Sequence, residues 1–329
     1  MSPVSMLKYA AIFLLFSLLI HGCSPWPASN SLDSHLTHFA DVTILAGTWD
    51  TRGSIDGTGG AALFSGLEGI CSDGTNLFVS ENVNNDVRKI VISSGLVTTF
   101  AAVSGPKGIC TDGINLYVCD EVNHSIQKIS LGTAAVSTLA GGSGSGTADG
   151  IGTAAQFSLP QGICTDGTNL FVADRGNYNV RQIVISSAVV TTLAGSTSGA
   201  SGGSDGVGTA ATFTYPTGCC IVGENLYVSD RSGLTGVRLV QIASGRVTTQ
   251  RSPLNSALLD YAVYDGSTYI YSCNDILRKT DAASWYFVDA TTLVNDYERY
   301  SFTAVCISGS DIFLTDSRDC VVLRLQSIK

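Results

Sequence analysis

Ten cysteines are the first residues in this chain of 329 whose chemistry suggests a site. Five of them, Cys71, Cys110, Cys164, Cys220 and Cys306, recur at one equivalent place along a repeating sequence. Many cysteines in an exported chain suggest a disulfide framework. Equivalent places in neighbouring repeats, however, are expected to lie beyond the ~7 Å Cα separation that a bridge spans. No C-x-x-C occurs, and the repeat would hold thiolate ligands apart, so no metal site and no cofactor are expected. The five are read as small buried hydrophobes, Cys119 and Cys219 likewise, and Cys273 and Cys320 as accessible thiols. Of the four histidines, His21, His35 and His38 precede the repeats and His124 stands alone within them. A three-histidine metal centre and a serine–histidine pair are therefore not expected, and there is no G-x-S-x-G. One carboxylate pair remains for acid–base work, Glu68 with Asp260.

The elements that must position these groups are read from the repeat. Its clearest copy is residues 160–195, PQGICTDGTNLFVADRGNYNVRQIVISSAVVTTLAG. GICTDG and NLFVAD alternate, VRQIVI follows a polar loop, and β-branched VVTTLAG closes on glycine. Apolar runs of this length punctuated by Asp-Gly predict four short antiparallel strands. Copies begin at 67, 106 and 216, and weaker ones near Leu259 and Phe302. The marker residues Cys71, Cys110, Cys164, Cys220, Val263 and Cys306 are 39, 54, 56, 43 and 43 residues apart. A four-stranded propeller blade takes about 40 residues, and the longer gaps hold extra loops.

The pattern P-x-G-I-x-x-D-G-x-N-L-[FY]-V-x-D-x-x-N-x-x-[IV]-R-K-I resembles the NHL repeat, and the likeness covers roughly residues 42–329. It implies an all-β, six-bladed β-propeller of four-stranded blades. DVTILAG at 41–47 matches the fourth strand of the good copies, whereas the last copy supplies three strands. The N-terminal strand is thus expected to complete the last blade and close the ring without an exposed edge.

The expected organisation is a signal peptide at 1–22, a lipidated N-terminus and tether at 23–40, and the propeller at 41–329. Lys8 precedes an apolar run that ends at IHGC, which resembles a bacterial lipoprotein signal with Cys23 as the lipidated residue. An ordinary secretory signal is the alternative, and either predicts export; lipidation predicts anchoring in the cell envelope, at the outer membrane if the source is Gram-negative. A net charge of −9 argues against nucleic acid, whose phosphates require a basic face. A closed ring needs no partner at an edge, so a monomer is expected.

Three inserted loops, IDGTGGAALF, ADGIGTAAQF and SDGVGTAATF, each precede a first strand. They are read as structural caps with Phe64, Phe157 and Phe213 as plugs, against a ligand rim or cation site as the alternative. One carboxylate per loop is sparse for calcium. Glu81, Asp120, Asp174, Asp230, Cys273 and Asp316 end the second strands, where a carboxylate is expected to accept amides of the following turn.

In a propeller the inter-blade links and the loops after the second strands emerge on one face. The x of P-x-G-I should ring the channel mouth there: Glu68, Lys107, Gln161, Thr217, Asp260 and Thr303. Arg175, Tyr178, Asn179, Arg231 and His124 lie in the adjoining loops. Glu68, Lys107, Gln161, Thr217, Asp260, Arg175, Tyr178 and Arg231 are the candidate ligand-binding residues. The function expected is non-catalytic binding of a protein, peptide or glycan. The alternative is an enzyme of the propeller lyase or lactonase type, whose relatives use metals or a histidine base at the mouth.

Overall fold

A computed structural model describes residues 39–230, 237–250 and 302–327 apart from 310, and within 261–289 the backbone pairing of four strands. The expected signal peptide, Cys23, most of the tether, Arg231 and Asp260 lie outside the described residues.

Each clear repeat forms one antiparallel sheet whose strands neighbour one another in chain order. The first blade is built from Leu67–Ser72, Asn76–Glu81, Asp86–Val91 and Leu96–Ala102. The second runs Pro106–Thr111, Asn115–Asp120, Ser125–Ser130 and Val136–Gly141. The third runs Pro160–Thr165, Asn169–Asp174, Asn179–Val184 and Val189–Gly195. The fourth runs Pro216–Val222, Asn225–Asp230, Val237–Gln241 and Arg246–Gln250. Asp-Gly at the first hairpin works as the sequence implies. Asp166 accepts the amides of Thr168 and Asn169 at 2.8 and 2.6 Å, and Gly167 takes φ +85°, open to glycine without strain.

Burial follows from stacking. Leu77 to Glu81 are all buried, because a second strand is covered on both faces by neighbouring blades. The outer strand Leu96–Ala102 buries only Val97 and Ala101. Phe39–Ala46 pairs with Val321–Ser327, setting Ile44 opposite Leu323 and Thr43 opposite Arg324. The N-terminal strand thus completes the closing blade, whose other strands are Phe302–Ser308 and Asp311–Asp316. Ala46 enters a core with Phe64, Leu67, Phe313 and Val322.

The fold is an all-β propeller, with five blades described in full against the six expected. Between the fourth and the closing blade, Tyr261–Asp265, Thr268–Cys273, Ile276–Asp281 and Ser284–Asp289 pair as a further antiparallel sheet. The P-x-G-I start is lost in this stretch, as it is in the closing blade, whereas the Asp-Gly pair is kept at 265–266. First strands stand side by side around the axis. The glycine of P-x-G permits this: a Cβ on Gly162 would meet the Thr217 carbonyl at 2.5 Å, and one on Gly69 the Lys107 carbonyl at 2.8 Å.

The three inserted loops act as clamps. Each adds two residues as a fifth strand to the outer edge of the blade it leads into, at Gly57–Thr58, Gly150–Ile151 and Gly206–Val207. In the third blade, Arg181 is fully buried and bridges Asp149 of the loop at 2.8 Å and Asp174 of the second strand at 3.1 Å. It also donates to the Gln156 and Ala148 carbonyls and lies 5.0 Å from the Phe157 ring centroid. Arg88 with Asp56, Glu81 and Phe64, and Arg238 with Asp205, Asp230 and Phe213, repeat the arrangement. The second blade lacks both parts: Gln127 replaces the arginine, and no such loop precedes the blade.

The second-strand carboxylates are structural, but their donors need correction. Asp120 and Asp316 accept amides of the following turn, from Asn123 and from Arg318 and Asp319. Glu81, Asp174 and Asp230 instead accept amides of the link before the first strand, from Ser65, Ser158, and Thr214 with Tyr215. The inserted loop brings that link within reach.

Candidate binding site at the channel mouth

Short first strands that converge on the axis bring their opening residues together. Glu68 and Lys107, on adjacent blades, form an ion pair of 2.7 Å, and Asn82 donates to Glu68 at 2.6 Å. Lys107 lies 3.6 Å from Glu121, which Gln161 reaches at 3.4 Å and Arg175 at 3.7 Å. Arg175 is set over the ring of Tyr215 with 5.9 Å to the centroid, and Tyr178 meets that ring edge-on at 6.1 Å. Glu68, Lys107, Gln161, Arg175 and Tyr178, expected from sequence, therefore belong to one arc across three blades.

Asn82, Glu121 and Tyr215 were not among the candidates. Asn82 and Glu121 occupy the same register as Arg175, one residue past the second-strand carboxylate, and that register was the signal available. Tyr215 directly precedes the proline of the fourth copy.

Other candidates play different parts. Thr217 is 6 % exposed, and its hydroxyl has no hydrogen-bond partner among the described residues. Thr303 donates to the Leu67 carbonyl at 3.0 Å and is a wall contact. Asn179 is buried and donates to Ser196 at 2.8 Å. His124, Asn85, Tyr178 and Cys320 share the last loop position before a third strand, and all have φ of +53° to +58°. The His124 Nδ1 accepts the Leu159 amide at 3.2 Å. Asp260, the partner in the expected carboxylate pair, lies outside the described residues, and Glu68 itself is engaged by Lys107 and Asn82.

The arc alternates in charge, Glu68, Lys107, Glu121, Arg175, and each member holds its neighbour in place. Arg175 is its loosest member: its side chain is 37 % exposed and its carboxylate partner is at 3.7 Å. Val83, Val122, Leu159 and Tyr215 are exposed in the links and loops of the same face. Within the channel lies a cavity of about 360 Å³ lined by first-strand residues, including Ile70, Cys71, Cys110, Cys164, Cys219 and Cys220. Burial pushes the Cys71, Cys110, Cys164 and Cys220 thiols up, so these four are protonated at neutral pH. Among the described residues no group of three histidine, cysteine or acidic side chains could hold a metal ion.

No family model matches the chain, and no curated protein does. Solved structures match it as folds. A structural genomics protein of unknown function from Bacteroides thetaiotaomicron has 16% identity and a TM-score of 0.64, over 87% of this chain and 76% of that one. A gluconolactonase-like protein has 14% identity and a TM-score of 0.60, over 89% and 94%. A catalytically inactive variant of virginiamycin B lyase from Staphylococcus aureus, with quinupristin, has 12% identity and a TM-score of 0.54, over 88% and 100%.

Proposed function

We propose that this chain is an NHL-type propeller of six blades that binds a protein, peptide or glycan through its loop face without catalysing a reaction on it. The observation that carries the reading is Arg175, half-free of its carboxylate and held against Tyr215 beside Tyr178. Arginine and tyrosine on rigidly held loops supply contact area and hydrogen bonds at low ordering cost. A ligand carboxylate can replace Glu121 on Arg175, and an aromatic side chain or a sugar face can stack on Tyr215. The exposed Val83, Val122 and Leu159 extend the contact to a partner larger than the mouth. The sheet at 261–289 supports the sixth blade. Export and lipidation at Cys23 would place this face in the cell envelope, with a monomeric ring held by its tether.

A channel-mouth enzyme is the second reading, favoured by the cavity beneath the arc and by the likeness in fold to a lyase and a gluconolactonase-like protein. In-cell crosslinking and pull-down of the full chain separates the two readings. The control carries alanine at Lys107, Gln161, Arg175 and Arg231, and a second control carries Tyr215→Ala. A partner captured by the native chain and lost from both controls supports the scaffold. Capture unchanged in both moves binding away from the mouth and overturns the site. Capture by none of the three, with turnover of a small molecule that is abolished by the same substitutions, establishes the enzyme.

A further inference from the structure

Among the fully described blades, the register cysteine of each first strand that leads into a described neighbour packs into that neighbour. Cys306 shares a buried cluster with Ile70, Cys71 with Ile109, and Cys110 with Ile163. In each case the facing residue stands one place before the next register cysteine. On the fourth first strand that place is Cys219, and Cys164 packs against its cluster. A thiol meets a thiol there, where the other interfaces set a thiol against isoleucine.

The geometry brings the two sulfurs together. The Cys219 thiol donates to the Phe171 carbonyl at 3.3 Å, and Phe171 is the direct ladder partner of Cys164. Residues opposed in an antiparallel ladder have Cα atoms ~4.5–5.5 Å apart. The sulfur of Cys219 therefore reaches across the blade interface to the ladder partner of Cys164. The strands are drawn close just ahead of this pair, at Gly162 and Gly218. Both cysteines line the channel cavity. Cys164 is the more exposed, whereas Cys219 is 8 % exposed.

We propose that Cys164 and Cys219 are a redox pair that closes to a disulfide between the third and fourth blades. The equivalent cysteines Cys164 and Cys220 are not the partners; the neighbour of Cys220 is. The structure holds both thiols reduced. The oxidant is a small disulfide that enters the cavity. The Cys164 thiolate attacks it and forms a mixed disulfide, releasing one small thiol. The Cys219 thiolate then attacks the Cys164 sulfur and releases the second. Two protein thiols are oxidised to one disulfide, one small disulfide is reduced to two thiols, and the two protein protons pass to the leaving thiolates. Burial disfavours the Cys164 thiolate, so closure is slow. The bond would persist in the oxidising compartment that the expected signal segment implies.

The test uses the full chain with cystamine at pH 8, then alkylation in denaturant and mapping of the digest by mass spectrometry. The expected result is one joined peptide pair carrying Cys164 and Cys219, which separates into two alkylated peptides after reduction. Cys219→Ala should leave Cys164 as a mixed disulfide with one cysteamine. Recovery of Cys164 and Cys219 as separate alkylated peptides overturns the proposal. A bridge from Cys219 to Cys110 or Cys119 overturns it equally. Should Cys219→Ala not fold, the native map decides alone.

Discussion

Asp174 shows what a buried carboxylate costs and how the chain offsets it. Burial pushes its carboxyl up to about 6, from an ordinary value of 3.8, against the opposing pull of the Ser158 amide and Arg181. Glu81 behaves alike and reaches about 7, with Ser65 and Arg88 opposing. The folded chain therefore holds these protons more tightly than the unfolded chain does. Their contribution to stability is fully present below about pH 4 and is lost as pH rises through about 6 for Asp174 and about 7 for Glu81. Denaturant unfolding of the native chain and of Asp174→Asn, measured from pH 4 to 7, should show a shallower fall with pH in the variant. Equal slopes would mean that Asp174 does not titrate in this window.

At the scale of the element, the inserted loop and the arginine of the third strand form one device. An interior guanidinium is costly unless its charge is paired and its terminal nitrogens are engaged. Arg181 is supplied with two carboxylates, two carbonyls and an aromatic face, most of them by the loop. Phe157 is fully buried beneath it. Phe157→Ala should cost about 3–5 kcal/mol in unfolding free energy, whereas the exposed Ile151→Ala in the same loop should change it by less than about 0.5 kcal/mol. A comparable loss from both would show that the loop is held by its backbone alone. The co-occurrence was visible in the chain: Arg88, Arg181 and Arg238 follow the three D-G loops, and Gln127 stands where no loop precedes. Reading it required knowing that residues 32 or 33 positions apart meet, and the fold supplies that.

At the scale of the whole molecule, the ring is closed by the pairing of its two ends. Removing residues up to Ala46 deletes the outer strand of the closing blade and uncovers Val321–Ser327 as an edge. An unpaired edge recruits another chain. The truncated protein should melt at a lower temperature and elute as a larger species in size-exclusion chromatography. A monomer of unchanged melting temperature would show that the strand is dispensable.

The sequence by itself determined the repeat, the strand order within each blade, and the N-terminal strand as the missing fourth strand of the last copy. These features are local or periodic: alternation, Asp-Gly turns and a recurring register depend on neighbours along the chain. The mouth was legible in part, because Glu68, Lys107 and Gln161 share one register. The tertiary structure alone decided that Glu121 links Lys107, Gln161 and Arg175, that Tyr215 lies beneath Arg175, and that Cys164 faces Cys219 rather than an isoleucine. Each of these contacts joins different blades. Their distance is set by how closely the first strands pack around the axis, and residue order along one chain does not carry that distance.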